Sequence, residues 1–147
     1  KKYPRNKRKD LSILMKVDNK LDFNNDPFHQ YLGLTLEETA QNFARVKLKI
    51  GTNTPSGINN SVHGGVLATM IDMAAVTAVF ASTREDDIPG GTADLQISYL
   101  RQAHGDWLEA KANVLKKGRQ LATIQVEIMN NEGTLCAAGR VLYAFKK

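Results

Sequence analysis

The constraint that most limits this chain is the stretch INNSVHGGVLATMIDMAAVTAVFAS, residues 58–82. From Val66 to Ala81 its polar entries are Thr69, Asp72 and Thr77, so a helix over this span is apolar on every side. A helix of that kind is buried all round. Ala68, Ala74, Ala75, Ala78 and Ala81 keep it slim enough for strands to approach closely. The fold must therefore wrap a sheet around one side of this helix and cover the other side with something else.

Asp72 conflicts with that burial. An ionised carboxylate without partners inside a core costs several kcal/mol or takes up a proton. Either the side chain points outward or caps a loop, or it sits at the edge of the buried region as a general base or nucleophile. The preceding His63-Gly64-Gly65 bears on this choice. Two glycines at a helix start leave backbone N–H groups open to a ligand, and the positive end of the helix dipole points the same way. That arrangement suits a carbonyl oxygen gaining negative charge. Asp72 lies nine residues beyond His63, half a turn round and about 13.5 Å further along a helix. The helix start and the carboxylate cannot serve one small reacting group within a single chain. If both act on it, a second copy supplies one of them, which predicts a homodimer with antiparallel helices and two shared sites.

The flanking sequence supplies the sheet. Asp26 as N-cap, Pro27 in the first turn and Gly33 as stop predict a short helix over 26–33. Residues 34–50 read as two strands around a turn, with Phe43, Arg45, Lys47 and Lys49 alternating against Ala44, Val46, Leu48 and Ile50. Residues 51–61 and 83–91 are loops by composition. Strands are expected over 92–101, about 106–116 and 119–129. Gly118 is placed where a tight hairpin requires positive φ. A turn at 130–133 leads into a last strand over 134–145. The order is α+β, an antiparallel sheet curved around one helix.

With 147 residues the chain suits one domain, expected as a basic tail and lead-in over 1–25 and a domain over 26–147. The net charge of +5 comes from the first ten residues, which hold six Lys or Arg and one Asp; the rest of the chain has no net charge. A solvated tail is expected there, with neither nucleic acid nor membrane as partner. No charge-free apolar run is long enough to span a bilayer, no secretory signal is visible, and one cysteine, Cys136, permits no internal disulfide. These features lead to the expectation of a cytoplasmic protein.

Taken together, VHGGVLATMID, TADLQISYLRQA, VLKKGRQLATIQVEI and GTLCAAGRVLYAF resemble the hotdog-fold acyl-CoA thioesterases of the phenylacetate-degradation (PaaI-like) type, over roughly residues 28–145. The resemblance implies hydrolysis of an acyl-CoA thioester to acid and CoA, without cofactor or metal. It implies that Gly64 N–H polarises the thioester carbonyl, that His63 shapes the turn, and that Asp72 of the opposite subunit is general base or nucleophile. Thr92 matches the position of a hydroxyl that orients the attacking group. Gly65, Asn59, Asn60, Tyr99, Lys116, Lys117 and Arg119 are the expected substrate-binding residues, and Arg101 ends the strand nearby. Dimers pairing into tetramers are compatible with the family.

One departure stands out. Many members carry Asn six residues before the His, where this chain has Gly57. Asn59 or Asn60 is the available substitute. The alternative is a hotdog protein that binds acyl-CoA without turnover, as sensor or scaffold; a hydratase would need a His and carboxylate pair that HGG does not provide. His29 is read as a helix residue that could lie near the acyl pocket, His104 as exposed, Cys136 as core and Trp107 as packing at a strand start.

Overall fold

The computed structural model describes residues 23–146; the basic segment and nearly all of the lead-in fall outside them. Helix α1 (Pro27–Leu32) is built as its sequence predicts. Asp26 Oδ1 accepts from Phe28 N at 2.8 Å and His29 N at 3.3 Å, and the His29 and Phe28 N–H groups hold the Asp26 carboxyl below its ordinary range. Gly33 closes the helix at φ 78°.

Six strands follow: β1 (Leu34–Ala40), β2 (Phe43–Lys49), β3 (Ile88–Tyr99), β4 (Trp107–Lys117), β5 (Leu121–Asn130) and β6 (Leu135–Lys146). They form one antiparallel sheet in the order β1-β2-β4-β5-β6-β3. Helix α2 (Gly64–Phe80) lies across it and touches all six strands. Leu67, Met70, Ile71, Ala74 and Ala78 pack against Val46, Leu48, Leu108, Ile124, Val126 and Val141, all buried. Gly139 allows the closest approach, since a Cβ there would lie 2.7 Å from Ile71 Cδ1.

The helix is not covered on all sides. Ala68, Thr69, Asp72, Met73, Val76 and Phe80 form a half-exposed stripe at helical spacing. Its hydroxyls are satisfied internally: Thr69 Oγ1 donates to Gly65 O at 3.0 Å, as buried Thr77 does to Met73 O at 2.7 Å. Beside this stripe runs β3, an edge strand paired only with β6.

Three details differ from the sequence reading. Strand β3 begins at Ile88 instead of 92, because Gly90 lets the chain lie against Ala144 O, where a Cβ would be only 2.7 Å away. Strand β5 begins at Leu121, and Gly118 does not adopt positive φ. Gly118 N donates to Leu121 O at 2.8 Å, and a bulge between Val114 and Lys116 supplies the local twist. The 51–61 loop contains a 3-10 turn, Ile58–Asn60, in which Asn59 and Asn60 are both left-handed, at φ 53° and 58°. Asparagine tolerates that region better than most residues.

The connections sort into two poles. At one, Val62 N bonds Ala103 O, Ile50 N bonds Asp106 O and Lys49 N bonds Gly33 O, gathering α1, the 51–63 loop and the 100–106 segment around the start of α2. At the other, Asn42 N bonds Ser82 Oγ and Phe145 N bonds Gln120 O, around the end of α2. Among the described residues no helix is long and apolar enough to cross a membrane.

Candidate active site

The start of α2 is arranged so that one donor is left free. His63 is the N-cap, and its Nδ1 accepts from Gly65 N at 2.9 Å. That bond fixes the ring as an acceptor at Nδ1. The His63 carbonyl takes Val66 N at 2.9 Å and Leu67 N at 3.3 Å. Gly64 N–H has no acceptor among the described residues, and it sits at the positive end of the 17-residue helix. Gly65 N–H is occupied by the cap, so of the two glycines only Gly64 offers a donor.

Tyr99 holds the same turn from the sheet side. Its hydroxyl donates to Gly64 O at 2.8 Å, and its ring fills the space a Gly64 side chain would need: a Cβ there would stand 3.2 Å from Tyr99 Cε1. The Gly64–Gly65 peptide is thus held by Tyr99 at its carbonyl and by His63 at its N–H. Around this turn opens a cleft of about 420 Å³, lined by Gly57, Ile58, Val62, His63, Gly64, Leu67 and residues 99–103. Asn59 lies on the adjoining turn, its Nδ2 3.4 Å from Gln102 Oε1; Asn60 is exposed.

The carboxylate belongs to a second cluster. Asp72 is eight residues beyond Gly64, about 80° round the helix and about 12 Å along it. Measured from Gly64 the offset is not half a turn, and axial distance is what separates the two groups. Asp72 is half-buried on the uncovered stripe, and Thr92 Oγ1 donates to its Oδ1 at 2.7 Å. Strict alternation would not bring Thr92 there, since Leu95 and Ile97 face the helix. A bulge between Thr92 and Asp94 changes the parity and turns Thr92 inward, opposite buried Tyr143. Burial pushes the Tyr143 phenol up against the opposing N–H of Gly91, and the Asp72 carboxylate adds to the rise. Sequence reading missed Tyr143; its signal was register with Thr92, which the bulge concealed.

The expected basic residues lie elsewhere in this chain. Lys116 and Arg119 are exposed at the pole beyond the end of α2. Lys117 is engaged in an ion pair with Asp87, its ammonium 4.9 Å from the Phe145 ring centroid. His29 is buried, with Nδ1 2.9 Å from Phe23 O and its ring tilted against Phe23 at a centroid distance of 4.1 Å. His104 is exposed. Cys136 is buried, and burial pushes its thiol up. Lys47 sits 4.5 Å from the centroid of the half-buried Trp107 ring.

Residues 59–137, more than half of the chain, match the model of the thioesterase superfamily. The chain is 32% identical over 133 residues to the medium/long-chain acyl-CoA thioesterase YigI of Escherichia coli K12, an alignment covering 80% of this chain and 84% of that one. The structure of the E. coli PaaI protein, from the phenylacetic acid degradation operon, superposes with a TM-score of 0.76 at 25% identity, covering 93% of this chain and 96% of that one. Zebrafish thioesterase superfamily member 2 gives 0.73 at 25% identity, with 92% and 96% covered. The architecture is the α+β hotdog fold that the sequence resemblance implied, and this chain belongs to the thioesterase superfamily.

Proposed function

We propose that this chain hydrolyses acyl-CoA thioesters at a site shared between two copies. The observation that carries the reading is the Thr92–Asp72 hydrogen bond of 2.7 Å, which orients a carboxylate on the uncovered stripe of α2, with a free Gly64 N–H at the helix start. In the proposed reaction Asp72 takes a proton from water, and the hydroxide attacks the thioester carbon. The carbonyl oxygen becomes an oxyanion held by Gly64 N–H at the positive end of α2. The C–S bond then breaks, the acid is released, and the CoA sulfur leaves with the proton from Asp72. In the nucleophile variant Asp72 attacks the thioester carbon, and the C–S bond breaks to release the CoA thiolate. Water then cleaves the acyl anhydride, giving the acid, the free Asp72 carboxylate and the proton that the thiolate takes up.

Since Gly64 and Asp72 are about 12 Å apart along one helix, the carboxylate for Gly64 is that of the partner subunit. An antiparallel pairing of position 64 with position 72 brings Ala68 opposite its own copy, and Ala68 is a small residue on the half-exposed stripe. The β3 edge is free to join its counterpart. In the same register the end of the partner helix, Phe80, falls opposite position 56, about 12 Å beyond Gly64. The partner subunit's Lys116 and the partner subunit's Arg119 would then approach the mouth of the cleft, where they could meet CoA phosphates.

The likeness to YigI favours medium or long acyl chains. A second reading, binding without turnover, rests on Gly57. A Cβ there would lie 3.6 Å from His63 Cα, so the family amide would stand beside the oxyanion turn, and this chain lacks it. The test is hydrolysis of short, medium, long and arylacetyl CoA thioesters by wild type and Asp72→Asn. Turnover by wild type that drops about 100-fold or more in the variant is the expected result. Binding without hydrolysis across the panel would transfer the case to the second reading.

A further inference from the structure

Among the described residues, Arg101 is the one Lys or Arg that lines the cleft containing Gly64. Several other cations near the sheet are neutralised within the chain: Arg45 by Glu38 and Glu109, Lys111 by Glu109, and Lys117 by Asp87. Arg101 is exposed and has no carboxylate within ion-pair distance among the described residues; its side chain donates from Nη1 to Leu135 O at 3.4 Å. It therefore keeps most of its donors free beside the positive end of α2. A guanidinium with free donors in a cleft draws an anionic group of the ligand to it.

The walls of the cleft indicate what else such a ligand carries. Ile58 is 76% exposed, Tyr99 55% and Leu100 47%, with Val62 and Leu67 as the floor. Large apolar side chains left in water beside an unpaired guanidinium suit a ligand with a flexible, mostly apolar arm that ends in phosphate. Guanidinium is the side chain best matched to phosphate oxygens.

We propose that Arg101 binds the phosphate end of CoA from the same subunit that supplies Gly64, with the pantetheine arm along the Ile58–Leu100 cleft. This rests on the acyl-CoA reading above and adds a residue to it. Arg101 is a specificity-determining residue: it selects the CoA thioester over a thioester lacking the phosphates and takes no part in the bond changes.

The experiment compares wild type, Arg101→Gln and Arg101→Lys on a medium-chain acyl-CoA and on the matching S-acyl-pantetheine, which carries no phosphate. Loss of a charge-assisted hydrogen bond predicts a rise in KM for the acyl-CoA of about 10-fold in Arg101→Gln, with kcat retained. Arg101→Lys recovers most of it, and the difference between variant and wild type vanishes on S-acyl-pantetheine. An equal loss on both substrates, or no loss on the acyl-CoA, overturns the proposal. Calorimetric titration of free CoA into wild type and Arg101→Gln separates this inference from the hydrolytic reading. If wild type hydrolyses neither substrate, weaker CoA binding by Arg101→Gln still supports Arg101, and unchanged binding overturns it.

Discussion

Thr92 Oγ1 donates to Asp72 Oδ1 across 2.7 Å, tying the edge strand β3 to the middle of the central helix. A hydroxyl that donates to one carboxylate oxygen leaves the other free to face a ligand, and it limits rotation of the group.

Removing that hydroxyl tests the role directly. Thr92→Val keeps the shape and is expected to lower kcat about 10-fold, the scale of one hydrogen bond to a charged group. KM is expected to hold, and Thr92→Ser to restore the rate. Steady-state kinetics on an acyl-CoA checks this; a change confined to KM would mean that Thr92 contacts substrate instead of orienting Asp72.

Sharing of the site is tested by mixing two inactive chains. Gly64→Ala pushes a methyl group to within 3.2 Å of the Tyr99 ring and crowds the free N–H, while Asp72→Asn removes the carboxylate proposed as base. In a mixed dimer one site carries both defects and the other carries neither. Co-refolding equal amounts is therefore expected to recover about a quarter of wild-type activity, as random pairing of a two-fold dimer gives. Sites contained within single chains would recover none.

The ion pair between Asp87 and Lys117 sets an acid limit. Burial pushes the Asp87 carboxyl up, but the Arg84 N–H and the Lys117 ammonium outweigh it and hold the group below its ordinary value. A carboxyl lowered in the folded state stabilises the fold above its unfolded pKa, and that contribution is lost as pH falls through the folded pKa. Wild type should melt above Asp87→Asn at pH 7, and the gap should close as pH drops below about 4. Melting temperature across that range reads it; a gap constant with pH would show that packing, not charge, is what Asp87 supplies.

The sequence was most informative where the physics is local. The cap at Asp26, the stop at Gly33 and the turn at Gly133 depend on neighbours a few residues away, and all three stand. The alternation in β2 likewise reports the buried face of its own strand. Thr92 was legible only through family likeness, because one bulge separates its facing from the pattern of β3. Lys117 illustrates the opposite failure. In sequence it belongs to a basic hairpin, but its charge is spent on Asp87, 30 residues away, which periodicity does not reveal. Arg101 is legible in sequence as a basic residue at a strand end, but its place in the Gly64 cleft is a property of the fold.

The separation of the molecule into two poles bears on how such a protein can change over time. The loops at the start of α2, residues 51–63 and 100–106, carry the cleft, while Asp72 and Thr92 are held by the helix and the sheet. Surface loops accept insertions and substitutions that strand pairing does not. Lineages can therefore lengthen or reshape the entrance and change what it admits while the Thr92–Asp72 hydrogen bond is inherited intact.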